Sequence, residues 1–286
     1  MPDAVFSDAA RSALTAIYPE QPGTLTHKLA GHPLFTLEAL VALAERMRPV
    51  DVEQNVGALP VGIDPADVRH NGLSPMETIR SIEANGSWMV LKFVEQDPAY
   101  RAVLEEVLGE LRQIVGPRTG DMLKLEGFVF VSSPGAVTPF HFDPEHNILL
   151  QLRGHKTMTV FPADDAEIAP GEWHEAFHRG GHRNLPFRPE FAARGRALTI
   201  GPGEAVYVPV KAPHWVQNGP ETSISFSVTW RSEWSYREAD AHGLNRLLRR
   251  AGLTPAMPGR FPHQNRAKSL AWRVLRRARG MIGREA

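Results

Sequence analysis

From Gly127 the chain becomes a series of short runs rich in β-branched and aromatic residues, punctuated by glycine and proline. Phe128–Val131, Asn147–Leu152, Lys156–Phe161, Ala205–Pro209 and Thr222–Trp230 read as strands. Arg153-Gly-His, Gly201-Pro-Gly-Glu and Asn218-Gly-Pro supply turns between them. Short strands in series fit a sandwich or barrel and argue against a parallel α/β sheet. The one long gap, from Pro162 to Arg196, is rich in Pro, Gly, Arg and His. A loop of that length inside a compact domain is usually functional or mobile; a lid or substrate-contacting wall is one reading and an exposed His/Arg-rich loop is an equal one.

The flanks follow a helical period instead. Thr36–Met47 has helical apolar spacing behind a threonine cap. Ser74-Pro-Met-Glu opens a second helix with a cap, a first-turn proline and an acid three residues on. Asp97-Pro begins a third, running to Leu108. The first hundred residues therefore read as scaffold helices and loops. After Trp230 the chain turns helical again, with Leu270, Val274, Leu275, Ala278, Met281 and Ile282 on one face and most arginines elsewhere. The expected organisation is a body of residues 1–235 and a basic helical extension of residues 236–286.

Composition narrows the function classes. Of 286 residues, 42% are hydrophobic and 22% charged, ordinary values for a globular chain. No apolar run is long enough to span a bilayer, and the N-terminus lacks the basic start and apolar core of a signal peptide. Cysteine is absent, which removes disulfides and thiolate metal sites and leaves the cytoplasm as the expected compartment. Net charge is zero, but Asn245 onward holds eleven Lys/Arg against Glu285 alone, leaving 21 basic and 31 acidic side chains in residues 1–244. A basic tail fits an acidic partner or a homodimer interface; no nucleic-acid motif accompanies it.

The chemistry concentrates in Thr138-Pro-Phe-His-Phe-Asp143 and in His214 of Val208-Pro-Val-Lys-Ala-Pro-His. On a strand, His141 and Asp143 project from the same face. A histidine from a neighbouring strand then completes two imidazoles and one carboxylate around a metal with open positions, which suits non-haem Fe(II). Spacing alone also allows unrelated histidines, since the chain has twelve. Thr138 and Asn147 offer a hydroxyl and an amide nearby. Lys156, in a strand, is either exposed at a sheet edge or matched to an anion.

Residues Thr138 to Pro162, together with Gly203 to Asn218, resemble the JmjC/cupin-8 group of Fe(II)/2-oxoglutarate-dependent oxygenases. They are especially similar to the branch containing the asparaginyl hydroxylase of hypoxia-inducible factor. The likeness covers roughly residues 125–232 and rests on five separated positions agreeing in type and order. It implies a mainly β, cupin-like jelly roll, the double-stranded β-helix, with N-terminal and C-terminal flanking helices. It also implies iron on His141, Asp143 and His214, with Thr138 and Lys156 on the distal carboxylate of 2-oxoglutarate and Asn147 in the same pocket. The implied reaction couples decarboxylation of 2-oxoglutarate to succinate and CO2 with hydroxylation of a C–H bond, on a protein side chain or a small molecule. Demethylation uses the same triad, so the substrate is not readable.

Two positions depart from the group. A tyrosine often found on an earlier strand is missing from Ser87–Phe93, leaving Trp88 or Lys92 as replacements, and Thr229 stands where some relatives carry asparagine. Retention of Asp143 argues against halogenation. Two other readings compete: a non-catalytic cupin-like sensor of metal and 2-oxoglutarate, and a zinc hydrolase built on His174-Glu175-Ala-Phe-His178. The second is disfavoured because Pro170-Gly171 and Gly180-Gly181 leave room for barely two helical turns.

Overall fold

Ser223–Ser232 alternates hydroxyl and apolar side chains, and the fold buries both sets. Ile224, Phe226, Val228 and Trp230 face a layer of helices, while Ser225, Ser227 and Thr229 face the inside of a barrel. A strand covered on both sides lies at the centre of the fold.

The computed structural model describes residues 4–282. In chain order the elements are α1 (Asp8–Ile17), β1 (Gly23–Thr26), α2 (Leu37–Arg46), β2 (Val52–Val56), α3 (Pro75–Arg80), β3 (Ser87–Lys92), α4 (Pro98–Gly109) and α5 (Arg112–Thr119). The β-rich middle follows with β4 (Met122–Ser132), β5 (Val137–His141), β6 (His146–Arg153), β7 (Lys156–Val160), α6 (Gly171–Phe177), β8 (Arg196–Ile200), β9 (Glu204–Val208), β10 (His214–Asn218) and β11 (Ser223–Ser232). Two helices close the chain, α7 (Glu233–Arg250) and α8 (Arg266–Ile282). Met281 and Ile282, assigned above to the apolar face of the last helix, lie outside the residues whose side chains are described, as do Met1 to Asp3 of the N-terminus.

Strands β4 to β11 alternate between two antiparallel sheets except that β7 and β8 are neighbours in one, with β9-β6-β11-β4 in the first sheet and β5-β10-β7-β8 in the second. That alternation is the double-stranded β-helix expected from the resemblance. The helix starts follow local chemistry. Thr36 Oγ1 accepts from Ala39 N at 3.2 Å, Ser74 and Glu77 form a capping box, and Asp97 caps α4.

The first hundred residues contain more than helices. Strands β1, β2 and β3 extend the large sheet to seven, in the order β1-β9-β6-β11-β4-β3-β2. β1 and β2 are short, end the sheet on either side and carry polar residues. β3 is buried along most of its length and so shows no alternation. Neither pattern stands out in sequence.

Two cores result. Leu14, Leu40, Leu43, Tyr100, Leu104 and Leu108 of the N-terminal helices pack on Val129, Val131, Ile148, Leu150 and Phe226 of the large sheet. Between the sheets Leu149, Met158, Val160, Leu198, Val206, Val208 and Val216 fill one end of the barrel, leaving the other end to polar groups. The insertion after β7 is not free: Ile168, Leu185 and Phe191 bury Phe140, Phe142 and Phe161 against it.

Candidate metal centre

Alternation aims the site. Phe140 and Phe142 are fully buried in the apolar cluster under the insertion, so His141 and Asp143 project the opposite way, into the barrel. His214 opens β10 directly opposite His141 in register. His141 Nε2 and His214 Nε2 lie 3.8 and 3.7 Å from Asp143 Oδ2, and the ring centroids are 4.2 Å apart. Among the described residues this is the one group of three potential ligands with donor atoms within 4.8 Å of one another.

The backbone fixes the tautomers. His141 Nδ1 donates to Pro139 O at 2.7 Å and His214 Nδ1 to Ala212 O at 2.9 Å, because a carbonyl can only accept. Each Nε2 therefore keeps its lone pair toward the shared point. Burial, followed by the neighbouring His214, lowers His141 to about 3, so its imidazole stays neutral. Burial would raise Asp143, but Arg183, then His141 and His214, outweigh it and hold the carboxyl near 2. Two imidazole nitrogens and a carboxylate on one side of an otherwise open point fit Fe(II) or a similar divalent ion.

Arg183 was not legible in the sequence. Its Nη1 donates to Asp143 Oδ1 at 2.5 Å, leaving Oδ2 to face the histidines. The insertion reaches this position by adding to the exposed edge of β5: Leu185 N donates to Phe140 O at 2.9 Å and Phe142 N to Arg183 O at 3.2 Å. The segment read as a lid or wall, or as an exposed loop, thus supplies Arg183 and Asn184 to the site.

A cavity of about 470 Å³ extends from His141 and Asp143. Thr138, Asn147, Ser227 and Thr229 line it, together with Trp88, Lys92 and Glu145. Thr138 Oγ1 accepts from Trp88 Nε1 at 2.9 Å, so its own proton remains available to a ligand. Trp88 thus engages Thr138 from the strand where the resembled group often carries a tyrosine; Lys92 instead pairs with Glu53 at 3.3 Å. Asn147 Oδ1 accepts from Ser227 Oγ at 2.7 Å.

Lys156 is no edge residue. β7 is paired on both sides, Lys156 with Asn218 of β10 and Ile200 of β8. The side chain is 4% exposed and its one hydrogen bond runs from Nζ to Ser225 Oγ at 2.8 Å. Burial with no facing carboxylate lowers its ammonium to about 7. Lys156 does not line the cavity directly; Ser225 stands two residues from the cavity-lining Ser227 on β11.

The zinc-hydrolase reading is not supported. His174 lies on α6 and His178 just beyond it, and His174 packs edge-on against the Phe142 ring at 4.4 Å. Glu175, the required base, is held by Arg249 at 3.2 and 3.3 Å. His242 of α7 packs near both imidazoles, with ring centroids 5.1 and 6.0 Å away, but the three histidines do not bring their donor atoms within 4.8 Å of one another.

The double-stranded β-helix and the clustered His141, Asp143 and His214 are what the resemblance to the JmjC/cupin-8 group implied. Among particular proteins, the chain is 31% identical over 99 residues to Jumonji C domain-containing protein 5 of Drosophila melanogaster, covering 32% of this chain and 25% of that protein. It is 26% identical over 151 residues to HSPB1-associated protein 1 of Bos taurus, covering 50% of this chain and 30% of the relative. The matches therefore span between a quarter and a third of these curated relatives. No family model matches. In fold, the chain is similar to YcfD, a ribosomal oxygenase from Escherichia coli solved with cobalt and 2-oxoglutarate. The TM-score is 0.51 at 17% identity, covering 95% of this chain and 67% of that one. No helix among the described residues is long and apolar enough to cross a membrane.

Proposed function

We propose that this protein is an Fe(II)- and 2-oxoglutarate-dependent dioxygenase that hydroxylates a C–H bond of a protein side chain or small molecule. The observation that carries the reading is Lys156: a buried ammonium with no carboxylate partner, in the same barrel as an open three-ligand centre. A buried cation needs an anion, and a dicarboxylate spanning metal and lysine supplies one. His141, Asp143 and His214 hold the iron; Thr138 and Lys156 take the distal carboxylate of 2-oxoglutarate, and Asn147 borders the same pocket. Iron held there would supply oxidising chemistry with 2-oxoglutarate and O2 as co-reactants, one oxygen atom of O2 ending in succinate as CO2 leaves and the other in the hydroxylated product.

The remaining steps belong to the chain. Pro139 O and Ala212 O orient the imidazoles, Arg183 orients Asp143, and Phe128, Phe130 and Trp88 give the cavity an apolar wall. No protein acid or base is needed. A ribosomal component is the first candidate substrate, since the similar YcfD is described as a ribosomal oxygenase.

The division into a body of residues 1–235 and an extension of residues 236–286, and a cytoplasmic location, form part of the same reading. So does a homodimer through the C-terminal helices: Leu270, Val274 and Leu275 are exposed on α8.

The test is anaerobic addition of 2-oxoglutarate to Fe(II)-loaded protein, then oxygen. A metal-to-ligand absorption band should form, disappear in H141A and D143A, and give way to succinate on oxygenation. A band that survives either substitution refutes the site. Binding without succinate release, across a broad substrate panel, favours a sensor instead.

A further inference from the structure

Directly behind the triad lies a buried charged contact that the metal site does not use. Lys211, three residues before His214, is 1% exposed, and Glu238 on α7 is 3% exposed. Lys211 Nζ lies 3.1 Å from Glu238 Oε2. The other carboxylate oxygen, Oε1, is 3.4 Å from His242 Nε2 and 3.7 Å from Arg260 Nη1. Lys211 also sits at φ 60, a left-handed backbone that residues other than glycine seldom adopt.

The turn reaches two of the three ligands. Lys211 N donates to Asp143 O at 2.7 Å, and the next residue, Ala212, offers the carbonyl that fixes the His214 tautomer at 2.9 Å. Pro213 O in turn accepts from Phe161 N at 2.8 Å, tying the turn to the end of β7. The position of Lys211 therefore sets both the height of Asp143 and the aim of His214.

We propose that Lys211 and Glu238 are positioning residues whose buried ion pair ties α7 to the 209–213 turn and thereby sets the affinity of the triad for a divalent metal. Helix α7 is then part of the metal site, although none of its side chains reaches the metal. This inference rests on the triad being the metal site.

The test is Co(II) titration of the full chain, read by ligand-field absorbance well below the melting temperature, on wild type, H141A, E238Q, K211M and K211M/E238Q. Each single substitution at the pair is expected to weaken Co(II) binding about 10- to 100-fold. The double variant should be no worse than the weaker single, because both remove the same contact. Should the singles fail to fold, K211M/E238L restores an apolar contact and keeps stability, and it should still bind Co(II) weakly. Folded E238Q or K211M/E238L with wild-type affinity overturns the proposal. Wild type that binds no Co(II), or H141A that binds it unchanged, overturns the triad itself and is distinguishable from that result.

Discussion

Replacing Lys156 by methionine should make the ligand-free protein more stable and its 2-oxoglutarate binding weaker. Burial lowers the Lys156 ammonium from 10.5 to about 7. The unfolded chain therefore binds a proton that the folded chain gives up. The resulting penalty is full below about pH 7, shrinks as pH rises, and vanishes above about 10.5. At pH 7 it amounts to about 4 kcal/mol. Methionine removes it, less about 1 kcal/mol for the lost hydrogen bond to Ser225. The net gain of about 3 kcal/mol raises Tm by about 5 °C in a chain of this size. The same substitution removes a charge-assisted hydrogen bond to the cosubstrate, weakening 2-oxoglutarate on the order of 100-fold.

Scanning calorimetry at pH 7 and near pH 10, with and without 2-oxoglutarate, reads both effects. The advantage of K156M over wild type should shrink toward the higher pH. Titration calorimetry adds a third readout: near pH 8.5 the free amine is mostly neutral, so cosubstrate binding should take up nearly one proton, seen as a heat that depends on the buffer. K156M should take up none. A variant less stable than wild type at pH 7, or cosubstrate binding without proton uptake, would refute the idea that Lys156 waits for an anion.

Removing Arg183 leaves the Asp143 carboxylate without its guanidinium. R183A should bind Co(II) about tenfold more weakly, and unchanged affinity would mean that the insertion only covers the site. At the far end, Leu270 and Val274 are 66% and 58% exposed on α8. L270D/V274D should convert a dimer to a monomer in light scattering, and a wild type that is already monomeric rules out that interface.

Much of the site was legible because it is local. His141 and Asp143 share a face by strand alternation alone, and Thr138 and Lys156 stand on strands of the same stretch. The strands that carry His141 and His214 were harder to see. β5 includes Pro139, β10 mixes Gln217 and Asn218 with apolar residues, and both are five residues long, so neither gives a clear period. Arg183 was hidden in a segment without periodicity, and its position comes from backbone pairing with the edge of β5. The Lys211–Glu238 pair joins residues on a turn and a helix, which no spacing rule connects.

The sequence by itself determined which side chains share a face and what donor chemistry they offer. It also set where helices begin, through the caps at Thr36, Ser74 and Asp97. Tertiary structure decided which faces meet: that His214 lies opposite His141, that Lys156 is enclosed rather than at an edge, and that Arg183 and α7 close on the triad. The physical reason is that side-chain direction follows local backbone period, whereas strand pairing brings together segments some seventy residues apart. That pairing is selected only when both faces of the sheets are buried at once.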